Sequence, residues 1–259
     1  MNFVINVPNA LLFIEPDNNA PVADEALYGM GCEIMARRGN FFEINMFYGY
    51  RAYVEVRAIT RGNMPDYFIC SKFADILPKP KFSQKPIMTL PMGSRIKVGK
   101  EIAPYFVEII TNDNKVLYTH KNNVAKYIVT PTENLREKLT LTAASYCGAG
   151  YRWGGKSPDG IDCSGLTFMS YYLNGYLIYR DAVSDKFTEF SKISLDEAKM
   201  GDLLFFPGHI AMYMQNGIII HSSGTNGCVS YNSLVKDTPL YNNYLAENII
   251  DVLTFDQLK

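Results

Sequence analysis

Near residue 130 the chain changes character, and that break limits what it can become. Before it, short β-branched and aromatic runs alternate with Gly and Asn: residues 32–35 (CEIM), 41–47 (FFEINMF) and 50–57 (YRAYVEVR). Arg37-Arg38-Gly39-Asn40 and Tyr48-Gly49 supply the turns between them. Runs this short, punctuated this way, suit antiparallel strands rather than helices. Leu77-Pro78-Lys79-Pro80-Lys81 interrupts the pattern and reads as a linker. A second β set follows at residues 95–98, 105–110 and 116–118, the last two divided by Asn112-Asp113-Asn114. Each set is about the size of a small five-strand barrel. Boundaries at 1–76 and 77–129 are expected for them.

Past the break the period lengthens. Thr130-Pro131-Thr132-Glu133 reads as a capping box with Pro at the first helical position. The helix it predicts buries one face through Leu135, Leu139, Ala143 and Cys147, and Gly148-Ala149-Gly150 ends it. Asp162-Cys163-Ser164-Gly165 opens a second amphipathic stretch marked by Leu166, Met169 and Leu173. Ser194-Leu195-Asp196-Glu197 is another capping box, stopped by Gly201. Strand-like runs at 203–206, 210–214 and 218–222 complete an α+β domain over 130–259.

Composition removes several classes of function. Lys plus Arg number 25 against 26 Asp plus Glu, a net charge of −1, so the chain lacks the basic footprint of a nucleic-acid binder. No run of about 18 apolar residues is present, which excludes a helical membrane span. Five cysteines, an odd number without a CxxC pair, do not make a disulfide framework. The start, MNFVINVPNALLFIEPDNN, lacks a positively charged leader segment. A cytoplasmic monomer is expected if the chain is complete, and a periplasmic or secreted one if a leader has been removed.

Three residues of the second half can act together: Cys163, His209 and His221. Thiolate is the nucleophilic form of cysteine, and it is favoured at a helix N-terminus or beside an imidazolium. Asp162 as N-cap places Cys163 in the first helical turn. Alone, Cys163 reads more readily as a buried inert thiol, the commoner fate of a single cysteine. The histidines shift that balance, because two of the three in the chain flank one hairpin, Gly208 to His221. A two-residue Asn-Gly loop puts them on opposite faces. A three-residue loop, Gln215-Asn216-Gly217, sets Ala211 opposite His221 and leaves His209 and His221 as diagonal neighbours roughly 7–8 Å apart. The three-residue loop is therefore expected. Cys plus two His also forms a possible zinc set, but Cys163 stands 46 residues before His209, unlike tight ligand spacing, and neither metal nor cofactor is expected.

Cys, then a strand His, then an orienting residue on the next strand is the papain-like order. In that arrangement His209 takes the thiol proton and His221 fixes its tautomer. The Cys163 N–H and one more donor, with Tyr151 the nearest phenol upstream, would hold the oxyanion.

Tyr151-Arg-Trp-Gly-Gly-Lys-Ser-Pro-Asp-Gly-Ile-Asp-Cys-Ser-Gly165, Gly201-Asp-Leu-Leu-Phe-Phe206, His209-Ile-Ala-Met-Tyr213 and Ile220-His-Ser222 together resemble the NlpC-type bacterial cell-wall cysteine peptidases over roughly residues 131–259. The first half resembles bacterial SH3-like domains, through Ala23-Asp-Glu-Ala-Leu-Tyr-Gly29 and Tyr50-Arg-Ala-Tyr-Val54 in one copy and Met88-Thr-Leu-Pro-Met-Gly-Ser94 in the other. Two such domains before the peptidase are similar to the dipeptidyl-peptidase VI branch. The resemblance implies a papain-like α+β catalytic domain behind two SH3-like barrels. It implies hydrolysis of the amide between γ-D-glutamate and an L-diamino acid in peptidoglycan stem peptides. By position it makes Cys163 the nucleophile, His209 the base, His221 the orienting residue and Tyr151 an oxyanion donor, with Asp162, Ser164 and Trp153 along the substrate groove. In the dipeptidyl branch an acidic residue of the first SH3-like domain holds the substrate's free amine; Glu25 is the candidate, and released peptides with N-terminal L-Ala become the expected substrate. Ile178-Tyr179-Arg180-Asp181-Ala182 lacks the family's Pro, Lys186 falls near its usual Gln, and only Pro207-Gly208 separates Phe206 from His209. The other reading is a non-catalytic protein that binds cell-wall peptides.

Overall fold

A computed structural model describes residues 2–258. The chain forms two compact units, Met1–Tyr127 with Lys156–Asp159, and Ile128–Gly155 with Gly160–Lys259.

In the first unit, seven strands are ordered β3-β2-β6-β5-β4-β1-β7: β1 Phe3–Ile5, β2 Asn9–Phe13, β3 Val22–Leu27, β4 Gly31–Arg38, β5 Phe41–Met46, β6 Arg51–Glu55 and β7 Ile59–Arg61. Alternation sets the buried face. Ala52 and Val54 of β6 and Ile44 and Met46 of β5 point inward, and Phe13 meets Phe41 edge to face at 6.0 Å. The sequence reading found β4, β5 and β6 but not the strands before them.

The second strand group begins earlier than expected. β8 Tyr67–Ile69 and β9 Phe73–Ile76 lie before residue 77, yet β8 pairs with β11 (Arg95–Ile102) and β14 (Val124–Lys126), and β9 pairs with β10 (Met88–Pro91). With β12 Phe106–Ile110 and β13 Val116–His120, the sheet order is β13-β12-β11-β8-β14. The sheets therefore change between β7 and β8, not at 76. The proline segment is correspondingly the loop of the β9–β10 hairpin rather than a linker: Ile76 faces Met88, and Leu77 bridges to Tyr118. Proline marks a break in hydrogen bonding, and a hairpin loop is as good a place for one as a domain boundary. Tyr28 joins the core formed by Ile69, Ile76, Leu90, Ile96, Ile109 and Leu117. Beside it, Gly29 has φ +73°, and a Cβ there would stand 2.1 Å from the Arg95 carbonyl oxygen, so only glycine fits.

In the second unit, α1 (Thr132–Ser145) buries Leu135, Leu139 and Ala143 at the predicted spacing of four. Its cap differs from expectation. Pro131 holds the N-cap position without a side-chain bond, and the Thr130 hydroxyl donates instead to Asn174 Oδ1 at 3.0 Å. α2 (Cys163–Tyr172) is buried at every residue rather than along one stripe, which makes it a central core helix. The Ser194 capping box forms as expected over a 3₁₀ turn, Leu195–Glu197. In chain order β15 (Lys156–Ser157) belongs to the first unit and β16 (Gly160–Ile161) to the second, where six strands are ordered β17-β22-β18-β19-β20-β21: β17 Phe190–Ile193, β18 Leu203–Phe206, β19 His209–Gln215, β20 Ile218–Ser223, β21 Cys228–Ser233 and β22 Asp251–Phe255. Leu204, Phe206, Ala211, Ile219 and Val252 pack with Leu245 of α3 (Asn243–Glu247). Among the described residues no helix is long and apolar enough to cross a membrane.

Candidate active site

The β19–β20 hairpin decides whether the histidines meet. Met212 lies opposite Ile220, which sets Ala211 against His221 as expected, but the route differs from the three-residue loop. The turn is the two-residue Asn216-Gly217, both left-handed (φ 53° and 73°), and the register shifts between Tyr213 and Gln215. Left-handed backbone at both positions suits a type I′ turn, and the bulge absorbs the extra residue. His209 and His221 consequently share a face, with His209 Nε2 2.7 Å from His221 Nδ1.

Cys163 opens α2. The Asp162 carboxylate accepts from the Gly165 N–H at 2.6 Å and caps the helix as predicted. The sulfur lies against the backbone amides of Ile210, the residue after His209, and of Ser164; both pull its pKa down. They do not prevail. Burial first and the Asp162 charge second push the thiol up to about 11. His209 moves the opposite way, down to about 4, through burial and then the neighbouring His221. His221 is also lowered by burial, against a hydrogen bond from its ring to Asn232. Both shifts favour a neutral thiol and neutral imidazoles over an ion pair, against the pull of the helix N-terminus toward thiolate. At this depth the cost of desolvating a charge exceeds the helix dipole and two amides.

Tyr151 stands where its ring would meet a Cβ on Gly224 at 3.6 Å. Burial first, then the proximity of Cys163 and Asp162, raises its phenol pKa, so it keeps its proton and can donate to an oxyanion. An open cavity of about 410 Å³ lies beside the imidazoles, lined by His209, His221, Ser223, Thr225, Asn242 and Tyr244.

Asp162 and Ser164, expected along the groove, are turned into the protein. Asp162 Oδ1 takes Arg180 Nη1 at 3.1 Å and Oδ2 takes Arg180 Nη2 at 3.2 Å and the Gly154 N–H at 2.7 Å. Arg180 also donates to Ser164 Oγ (2.7 Å) and to the Gly154 carbonyl (3.0 Å). These side chains brace the loop before the nucleophile. Arg180 does so although the proline before it in the family pattern is missing. Trp153 is 68% exposed.

Glu25 belongs to the first unit and is 1% exposed there. Its Oε1 accepts from Asn9 Nδ2 at 2.7 Å, and Oε2 accepts from the N–H groups of Lys156 (2.7 Å) and Ser157 (3.0 Å). Both oxygens of the carboxylate expected to hold a substrate amine are thus engaged within the protein. Its acidic neighbour Asp24 is equally enclosed: Oδ2 takes Lys156 Nζ at 2.6 Å and the Tyr48 hydroxyl at 2.5 Å.

One site residue went unread in the sequence. Asn232 Oδ1 lies 2.9 Å from His221 Nε2, so the hydrogen-bonded series runs His209, His221, Asn232. Strand alternation gave a signal. Ser230 faces His221 across β20 and β21, and Asn232, two residues on, shares its face.

A thiol at a helix start, two imidazoles in series on the adjoining strands and a phenol nearby define a cysteine hydrolase. Residues 148–252 match the NlpC/P60 family. The chain belongs to the NlpC/P60 family of cell-wall peptidases. It is 35% identical to dipeptidyl-peptidase 6 of Lysinibacillus sphaericus over 272 residues, covering 96% of this chain and 97% of that one. It is 34% identical over 116 residues to the gamma-D-glutamyl-L-lysine dipeptidyl-peptidase of Bacillus subtilis (strain 168), 42% of this chain and 39% of that protein. The crystal structure of an NlpC/P60 family protein from Bacillus cereus ATCC 10987 shares the fold at TM-score 0.82 and 19% identity, covering 98% and 99% of the two chains.

Proposed function

We propose that this chain is a cysteine peptidase that hydrolyses the amide between γ-D-glutamate and an L-diamino acid in peptides released from peptidoglycan. The observation that carries the reading is the 2.7 Å contact between His209 and His221 on the strands beside the Cys163 thiol. Cys163 sulfur attacks the γ-carbonyl carbon while its proton passes to His209. His209 Nε2 is taken by His221, which leaves Nδ1 to receive it. Tyr151 and the Cys163 N–H stabilise the oxyanion. The C–N bond then breaks, the leaving amine takes the proton from His209, and a water activated by His209 hydrolyses the thioester to acid and free thiol. His221, with both ring nitrogens already hydrogen-bonded, orients His209.

Substrate class is supported by the names of the two relatives, dipeptidyl-peptidase 6 and gamma-D-glutamyl-L-lysine dipeptidyl-peptidase. The two strand groups of the first unit are read as SH3-like modules. Released peptides with a free N-terminal L-Ala remain the proposed substrate, although Glu25 is not proposed to bind their amine.

Mass spectrometry of products from L-Ala-γ-D-Glu-L-Lys and its meso-diaminopimelate counterpart, with and without N-acetylmuramoyl on the alanine, tests this. The expected products are L-Ala-γ-D-Glu and free diamino acid, from the unblocked peptides only. Equal cleavage of blocked peptides or intact sacculi refutes the restriction to released peptides. C163A should lose hydrolysis and keep the fold; activity retained in C163A, or lost to a chelator but not to iodoacetamide, refutes the nucleophile.

A further inference from the structure

We infer that Asn232 is a positioning residue that selects the protonation pattern of both histidines, and so decides whether the His209 nitrogen not engaged by His221 presents a lone pair or a hydrogen. The argument starts from an amide that has one orientation open to it. Asn232 Nδ2 lies 3.1 Å from the Leu240 carbonyl oxygen, which can only accept. Asn226 Nδ2, a donor, lies 3.1 Å from Asn232 Oδ1 and is itself held by Ser230 Oγ at 2.8 Å. Rotating the Asn232 amide would set oxygen against the Leu240 oxygen and NH₂ against the Asn226 NH₂. The Leu240 contact forbids it, because a carbonyl oxygen only accepts, so the oxygen faces His221 Nε2 at 2.9 Å.

From there the protons follow in order. An acceptor at Nε2 requires His221 to carry its hydrogen on that nitrogen. Neutral His221 therefore presents a lone pair at Nδ1, and His209 Nε2, 2.7 Å away, must donate to it. Neutral His209 is left with its lone pair on Nδ1, the nitrogen not engaged by His221. Two imidazoles in series hold no fixed direction by themselves, because either can be turned over by shifting one proton on each. The Asn232 oxygen breaks that symmetry. Without it, the reversed arrangement, with hydrogen on His209 Nδ1, becomes populated, and a ring so protonated cannot take the proton of Cys163.

This rests on Cys163 and His209 acting as nucleophile and base, so the experiment has one readout that needs no substrate. Long-range ¹H–¹⁵N spectra of the whole chain report ring tautomers, and only three histidines contribute. Wild type should show His209 and His221 both as the Nε2–H form. Finding His221 as the Nδ1–H form overturns the inference directly, whatever the substrate proves to be. In N232L the two rings should become tautomer mixtures, and kcat should fall about tenfold or more with KM within about twofold. N232D keeps an acceptor at the same place, and should keep the Nε2–H forms and a kcat within about threefold of wild type. Both variants lose the bond to Leu240, so a purely structural role damages them alike, and that result overturns the inference. If wild type cleaves none of the peptides while the tautomers are as stated, the substrate reading fails and the role of Asn232 stands.

Discussion

Replacing Arg180 by Met tests whether the loop ahead of the nucleophile is held by charge. Arg180 is 2% exposed and donates to both oxygens of Asp162, to Ser164 Oγ and to the carbonyls of Gly154 and Gly155. Methionine fills much of the same volume but leaves the Asp162 carboxylate buried beside Cys163 without its counter-charge. Breaking a buried pair from one side costs about 3–5 kcal/mol. Asp162 keeps the N–H groups of Gly154 and Gly165, which argues for the lower end, about 3 kcal/mol. At about 2–4 °C per kcal/mol, R180M should melt roughly 6–12 °C below wild type at pH 7. Thermal denaturation followed by circular dichroism gives the shift, and hydrolysis assayed well below both transitions separates folding from chemistry. A double-mutant cycle isolates the cause. D162N retains a helix-capping oxygen and removes the stranded charge, so adding it to R180M should recover at least about half of the loss. An R180M shift below about 1 kcal/mol, or a D162N effect that simply adds to it, refutes the charge argument.

Protonation supplies three further expectations. With His209 held down at about 4, its basic form is present through neutral pH, and kcat/KM should fall only as pH drops toward about 4; an acid limb near the ordinary histidine value of about 6.5 contradicts this. The same depression means the unfolded chain binds the proton first, so stability from this group is full above about 6.5 and declines as pH falls toward 4, which urea melts across that range measure. Cys163 has the opposite sign. Raised to about 11, it contributes stability below its unfolded value that is lost as pH rises through 11, and C163A should flatten the alkaline end of the stability curve. In the first unit, K156M strands Asp24, fully buried with Lys156, and should lower that unit's stability by about 3–5 kcal/mol; a change under 1 kcal/mol by urea denaturation refutes the account.

The site was more legible in the sequence than the arrangement of strands. Residue chemistry announced Asp162 as a cap, Cys163 at a helix start and two histidines that a register argument could set on one face. Pairing between strands distant in sequence leaves no such local mark, so β8 and β9 went unread and their pairing with β10, β11 and β14 across the proline segment was not legible. Thr130 looked like a cap because its local pattern is right, but a distant partner, Asn174, took its hydroxyl. The partners of Glu25, Asp162 and Ser164 were not legible for a common reason: a polar side chain reads as available until its tertiary contacts are known. Asn232 needed the β20–β21 register, which the sequence alone did not provide. The charge state of Cys163 depended on burial, a property of the whole core.

The irregularity between Tyr213 and Gln215 carries a rule about length. Counting from His209 to His221, the bulge turns an even tally of paired positions into an odd one, and sidedness in a ribbon follows parity. Losing or gaining a single residue in this stretch sends one imidazole to the reverse side, however conservative the change looks in an alignment, whereas removing or adding two restores it. Relatives with hairpins of other lengths should therefore differ here by even numbers, or carry a compensating kink elsewhere between the two rings.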